Sequence, residues 1–176
     1  AAFLKPGVVQ YNSYSYTAIE KSPRSKEMAD SFKQCGLNGY VSESIKVDMW
    51  KKVIYNCVFN PISAILGVEN RLISDKKLNS LKKLIVDECI RVAKKDGVNF
   101  NIDFVEIINK EFKNSVNISS MQQDLIKGKQ TEIDYLNGAV VKLGKKYGFK
   151  CQVNEALVSV IKELEKKGNQ SLYANV

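Results

Sequence analysis

The sequence predicts a mainly α-helical chain with a small β-β-α-β piece at its front. From Ser44 onward, apolar residues recur at the three- and four-residue spacing of buried helix faces. Before that point, short runs rich in β-branched and aromatic residues sit between turn residues. Lys94-Lys95, Lys145-Lys146 and Lys166-Lys167 stand just ahead of Gly97, Gly148 and Gly168. Basic residues in a last turn followed by glycine are the signal of a helix C-terminus.

In chain order, Val8-Val9-Gln10-Tyr11 and Tyr16-Thr17-Ala18-Ile19 flank Asn12-Ser13 and read as a hairpin. Pro23 to Gln34 reads as a helix with Met28, Phe32 and Cys35 along one side and Gly36 as its stop. Leu37 to Ser42 reads as another strand. Such a piece is too small to stand alone as a sheet and looks like the tail of a larger α/β domain. We therefore expect a boundary at 42/43, with residues 43–176 forming an all-helical domain.

The first helix of that domain runs through Trp50-Lys-Lys-Val-Ile-Tyr-Asn-Cys-Val-Phe-Asn-Pro61, with Pro61 expected to kink or break it just past Asn60. A turn follows at Gly67 to Arg71, then a helix from Leu78 to Lys95 burying Leu81, Ile85, Cys89 and Val92. A shorter helix spans Asp103 to Phe112. Ser120 with Gln123 fits a capping box, so another helix is expected to start there and to end at Lys127-Gly128-Lys129. Thr131 to Asp134 opens the next, with Ile133, Leu136, Val140, Leu143 and Tyr147 on one face. The last helix runs from Asn154 to Lys167 over Leu157, Val160, Ile161 and Leu164, and 169–176 reads as a tail.

Composition narrows the function classes. The chain has 176 residues and a net charge of +8. That charge invites an anionic partner, but the lysine pairs at helix ends account for much of it. A surplus of lysine also suits a phosphate-bearing cofactor. No apolar run is long enough to span a membrane, and the opening Ala-Ala-Phe-Leu-Lys-Pro lacks the pattern of a signal peptide. The four cysteines, Cys35, Cys57, Cys89 and Cys151, have neither zinc nor redox-pair spacing. Cys57 and Cys89 read as reduced core residues of a cytoplasmic protein. Histidine is absent, which removes the usual general base and metal ligand. No metal site is expected, and acid–base chemistry would fall to Lys, Glu, Asp, Tyr or Cys.

Within the apolar text of the first helix, Lys52, Asn56 and Asn60 recur every four residues and form one polar stripe. Buried, such groups need partners or a polar ligand; facing solvent, they need neither. Asn70 follows just past the turn. Asn117, Ile118, Ser119 and Ser120 precede a helix N-terminus, where free N–H groups favour an anion, although a plain N-cap would use the same residues. Glu132 either complements a helix start or serves a ligand.

Taken in order, Trp50-x-Lys52-x-x-x-Asn56-x-x-x-Asn60-Pro61, then Asn117-Ile-Ser-Ser-Met121-x-Gln-Asp124, then Thr131-Glu132-Ile133-Asp134-x-x-Asn137-Gly138 resembles the C-terminal domain of the ketopantoate reductases (2-dehydropantoate 2-reductases). The resemblance covers essentially the whole chain. It implies a helical substrate domain of the 6-phosphogluconate-dehydrogenase-like type in 43–176, preceded in 1–42 by the remnant of a Rossmann nucleotide-binding domain. It implies NADPH-dependent reduction of ketopantoate to pantoate, in cytoplasmic pantothenate and coenzyme A biosynthesis. Lys52 takes the place of the catalytic lysine, an acid whose pKa partial burial would lower. Asn56, Asn60, Asn70, Asn117, Ile118, Ser119 and Ser120 take substrate-binding places, with Ser120 the principal side chain of its segment. Glu132 takes the place of a glutamate that contacts the cofactor. Two positions depart from the pattern: Gln152 stands where proline is usual, and Lys129 where arginine is common. No G-x-G-x-x-G occurs in the chain, so the main NADPH platform is not in it, and it is expected to be inactive alone. Reduction of another 2-oxo acid, a homodimer through the helical domain, or a non-catalytic helical dimerisation module remain open. A nucleic-acid or membrane partner is not expected.

Overall fold

A computed structural model of the chain describes residues 2–10 and 16–167. It divides into two compact units, Ala1–Met49 and Trp50–Val176.

In the first unit β1 (Ala2–Lys5) and β2 (Val8–Gln10) pair antiparallel around Gly7, whose φ of 77° suits a residue without a Cβ. β3 (Tyr16–Ile19), α1 (Ser25–Gln34) and β4 (Asn38–Val41) form a parallel crossover, Tyr16 opposite Asn38 and Ile19 opposite Val41. The expected hairpin is therefore wrong. β2 pairs with β1 and β3 with β4, and the Asn12-Ser13 turn lies outside the described residues. A parallel pair needs an intervening crossover, so its partner is invisible to a reading of adjacent turns. The buried side of α1 also differs from expectation. Ala29 is buried, whereas Met28 and Cys35 are exposed. α1 packs against β4 through Ala29 and Phe32: a Cβ at Gly39 would sit 2.8 Å from the Phe32 Cβ and 3.2 Å from the Ala29 Cα, so there is no room for a side chain at position 39. Tyr40 of β4 and Ser42 just past it donate to the Asp48 carboxylate at 3.0 and 2.6 Å. Burial, reinforced by that carboxylate, pushes the Tyr40 phenol up to about 12.

α2 (Ile45–Leu66) carries the polar stripe and buries Trp50, Ile54, Cys57, Val58, Phe59 and Ile62. It does not break at Pro61 but runs on to Leu66. Proline has no N–H for the carbonyl four residues back, which here is Cys57. The Asn137 side chain supplies the missing donor, with Nδ2 3.0 Å from the Cys57 oxygen. The helix then stops at Gly67, φ 65°, with Val68 N–H bonded back to the Ser63 carbonyl.

The remaining elements are α3 (Asn70–Ile73), a 3-10 turn (Lys76–Leu78), α4 (Asn79–Lys95), α5 (Phe104–Glu111), α6 (Ser120–Ile126), a second 3-10 turn (Ile133–Tyr135), α7 (Asn137–Lys146) and α8 (Gln152–Lys167). The lysine pairs 94–95 and 145–146 occupy last turns ahead of Gly97 and Gly148, both at positive φ. Lys166-Lys167 closes α8, and Gly168 lies outside the described residues. α2 meets α5 through Tyr55, Phe59, Phe104 and Phe112, Tyr55 and Phe104 edge-to-face at 5.5 Å. The single helix expected from Thr131 is two pieces, divided at Leu136. Val160 is exposed, so Leu157 and Ile161 carry the buried side of α8.

A polar network runs through this core. Asn137 Nδ2 also donates to Asn154 Oδ1 at 2.9 Å, and Asn154 Nδ2 donates to Glu88 Oε2 at 2.7 Å. The Glu88 carboxylate accepts the Val153 and Asn154 N–H groups at 3.0 Å each, capping the start of α8 from α4. Cys57 and Cys89 are buried free thiols, as expected, and contact with Cys57 together with burial holds Cys89 well above the usual thiol range.

Candidate active site

All the expected site residues lie in the second unit. The polar stripe on α2 has a gradient of burial: Lys52 is exposed, Asn56 half-buried and Asn60 buried at 6 % exposure. At a rise of about 1.5 Å per residue the stripe spans about 12 Å. Among the described residues no hydrogen bond or salt bridge engages the Lys52 ammonium. The partial burial expected for Lys52 is absent. Among the described residues the buried lysine is Lys82, at 0 % exposure.

The inner end of the stripe adjoins the two other segments. One turn beyond Asn60, Ser63 Oγ donates to Ser119 Oγ at 2.6 Å within the core. Ser119 Oγ in turn accepts the Gln122 N–H at 3.2 Å. Ser119 is therefore the N-cap of α6, and Ser120, expected as the cap, is its first helical residue with an exposed side chain. On the other side, the Asn70 N–H donates to the Asn117 carbonyl at 2.9 Å and the Arg71 N–H to the Ser115 carbonyl at 2.8 Å. Gln123 Nε2 donates to the Ile118 carbonyl at 3.3 Å. Asn60, Asn70 and the 117–120 segment, distant in sequence, thus converge at one end of α2. α6 has only seven residues, so its dipole gives an anion little; the Asn117 and Ser120 side chains, both exposed, are what the segment can offer. The Asn70 Oδ1 is shielded and has no hydrogen-bond partner among the described residues. A shielded amide oxygen without a partner is unusual.

Glu132 is exposed, just ahead of the 133–135 turn, and makes no side-chain cap. Its neighbours are fixed from α8: the Thr131 N–H and hydroxyl both donate to Glu165 Oε1, at 2.8 and 2.6 Å. Lys162 bridges Asp134 and Glu165. No bond joins this segment to Lys52 or Asn70 among the described residues. A cavity of about 560 Å³ lies elsewhere, lined by Asn79, Lys83, Val86, Phe100, Asp103 and Phe104 among others, and contains none of the expected site residues.

Sequence reasoning missed Lys82 and Gln122. Gln122 is fully buried with both amide atoms unpaired among the described residues. Lys82 did carry a signal, because positions 82, 86, 89 and 93 share one side of a helix and Val86, Cys89 and Ala93 are all buried.

Residues 44–165 match the family model described as "Ketopantoate reductase PanE/ApbA C terminal". The chain belongs to that family. The 2-dehydropantoate 2-reductase of Pyrococcus horikoshii is 33 % identical over an alignment 178 positions long that covers 97 % of this chain and 59 % of the relative. The chain spans about half the length of the curated relatives it matches. A crystal structure of a PanE/ApbA family ketopantoate reductase from Ralstonia eutropha JMP134 superposes with a TM-score of 0.80 at 28 % identity, covering 90 % of this chain and 54 % of that one. The ternary structure of D-mandelate dehydrogenase with NADH and anilino(oxo)acetate superposes with a TM-score of 0.75 at 25 % identity, covering 89 % and 69 %. Nicotinamide-dependent oxidoreductases are therefore among the chain's structural relatives. Among the described residues no helix is long and apolar enough to cross a membrane.

Proposed function

We propose that this chain is the substrate-binding part of an NADPH-dependent 2-dehydropantoate 2-reductase, with residues 1–42 the end of its nucleotide-binding domain and 43–176 its helical domain. One observation carries most of the reading. Ser63, one turn beyond Asn60, and Asn70 are each hydrogen-bonded to the 117–120 segment, which brings these stretches, assigned to substrate by the family pattern, to one end of the helix that bears Lys52.

The nicotinamide cofactor would supply the hydride to the ketone carbon. The chain holds no glycine-rich turn for a pyrophosphate, so by itself it does not fit the cofactor; Glu132 is the contact it offers. The rest of the chemistry belongs to its own residues. As the carbon–oxygen π pair moves onto oxygen, the Lys52 ammonium stabilises the growing charge and then gives that oxygen its proton. The resulting neutral amine takes a proton back from water, which its exposure permits. Asn56 and Asn60 hydrogen-bond the substrate, and Asn117 and Ser120 hold its carboxylate. The stripe is exposed at its Lys52 end and buried at its Asn60 end. Without a glycine-rich turn for the cofactor, this chain alone is inactive. The setting of the reaction is pantothenate and coenzyme A biosynthesis in the cytoplasm.

The test joins the chain to the nucleotide-binding half of a relative and follows NADPH oxidation with ketopantoate. Lys52→Ala lowers kcat by about 10²- to 10⁴-fold with the fold intact, the range of a lost general acid. An unchanged kcat removes Lys52 from this role. The likeness to D-mandelate dehydrogenase supports a second reading, reduction of another 2-oxo acid. A panel of 2-oxo acids separates the two by their kcat/KM ratio. A homodimer through the helical domain is read by sedimentation.

A further inference from the structure

Buried lysines are rare unless paired, and the Lys82 ammonium is held by three oxygens. Nζ donates to the Ile73 carbonyl at 2.9 Å, to the Asp75 carbonyl at 3.1 Å and to Asn109 Oδ1. Asn109 is held in turn, its Nδ2 donating to Asn79 Oδ1 at 3.0 Å. The Ile73 carbonyl is the last of α3, where helical oxygens run out of intrahelical partners; the Asp75 carbonyl, at the start of the next 3-10 turn, also accepts the Leu78 N–H at 3.0 Å.

α3 is only four residues long. One helical turn has no stability of its own, so its placement comes from what grips its ends. At the C-terminal end the grip is Lys82. At the N-terminal end, the Asn70 and Arg71 N–H groups donate to the Asn117 and Ser115 carbonyls. α3 is thus a strut between a buried cation and the 115–120 segment, and it carries Asn70. Burial lowers the Lys82 pKa and the Asp75 charge opposes this, so the site is costly to keep charged and the surrounding oxygens are what make it tenable.

We infer that Lys82 is a positioning residue of the substrate site: by fixing the end of α3 it sets where Asn70 and the Asn117 segment stand. It touches no substrate and acts through the strut. This rests on the assignment of Asn70 and Asn117 to substrate in the proposed function.

Two measurements on Lys82→Met test it. Amide hydrogen exchange on the 176-residue chain reads the strut directly. The Asn70 and Arg71 amides should exchange at least about 10-fold faster, while amides inside α4 and α8 keep their rates. Wild-type rates at Asn70 and Arg71 in a folded variant overturn the inference. Should Lys82→Met not fold, Asn109→Ala removes one of the three oxygens and should give a smaller acceleration at the same two amides. Failure of both variants to fold would make Lys82 a support of the whole core and also overturn it.

In the chain joined to a nucleotide-binding half, Lys82→Met should raise KM for the 2-oxo acid about 10-fold, with kcat and the KM for NADPH within about 2-fold. Asn70→Ala should then cost less in the Lys82→Met background than alone, the mark of residues acting through one another. Full additivity overturns the inference. If Asn70→Ala leaves KM unchanged while the exchange response is present, the substrate assignment of Asn70 fails and the strut stands.

Discussion

At Gln122 and Lys82 the polarity of a side chain and its surroundings disagree, and the two residues settle that disagreement differently. Lys82 is satisfied by three oxygens, whereas Gln122 sits at 0 % exposure, between the buried Met121 and the Leu125 turn, with no partner for either amide atom. An unpaired buried amide costs about 1–3 kcal/mol. Leucine has nearly the same volume and nothing to desolvate, so Gln122→Leu should raise stability by about 1–2 kcal/mol, read as a higher denaturant midpoint at unchanged m-value. A lower midpoint would show that the amide has partners in solution. Asn70 is the contrasting case. Its unpaired oxygen lies on a segment hydrogen-bonded to Asn117, a residue proposed to bind substrate.

Among the elements, α2 shows how local rules are overridden by distant residues. Pro61 should end it, yet Asn137 supplies the donor that proline lacks. Asn137→Ala removes two buried hydrogen bonds, and should cost about 2–4 kcal/mol at about 1–2 kcal/mol for each bond left unmade. Denaturant unfolding measures this, and a cost below about 0.5 kcal/mol would mean that Cys57 finds another donor. Elements with strong periodicity were legible: α4 with Ile85, Cys89 and Val92, and α8 with Leu157 and Ile161. So were the lysine–glycine endings of α4 and α7. The β3–β4 pairing was not, since nothing within the Tyr16–Ile19 run names a partner on the far side of a helix. Nor was the break at Leu136, where the apolar spacing of Ile133, Leu136 and Val140 reads straight through. At the site, the order of the motif residues could be matched to the family pattern, but the hydrogen bonds that hold the segments together could not be read from it. The shift of the α6 cap from Ser120 to Ser119 is of that kind, because adjacent serines satisfy the same rule and only the partner, Ser63, decides between them.

For the molecule as a whole, charge is arranged so that acid loosens it from a particular place. Burial works to raise the Glu165 pKa, but the two Thr131 bonds and the Lys162 ammonium outweigh it and leave the carboxyl below its usual range. A folded-state pKa below the unfolded value adds stability that is present above the unfolded pKa, about 4.3 for glutamate, and is lost as pH falls through the folded value. Stability should therefore fall on acidification below about pH 4–5, and Glu165→Gln should flatten that fall. An unchanged slope would place the acid sensitivity elsewhere. The sole tryptophan provides the readout. Trp50 is 7 % exposed, and its indole N–H donates to Asp96, whose other oxygen accepts from the Tyr147 hydroxyl at 3.0 Å. A single indole is thereby wired into the junction of α2, α4 and α7, two positions from Lys52. Its emission colour reports whether that junction is closed, and its quenching on titration with a 2-oxo acid would give the chain an optical signal of its own, with no label attached.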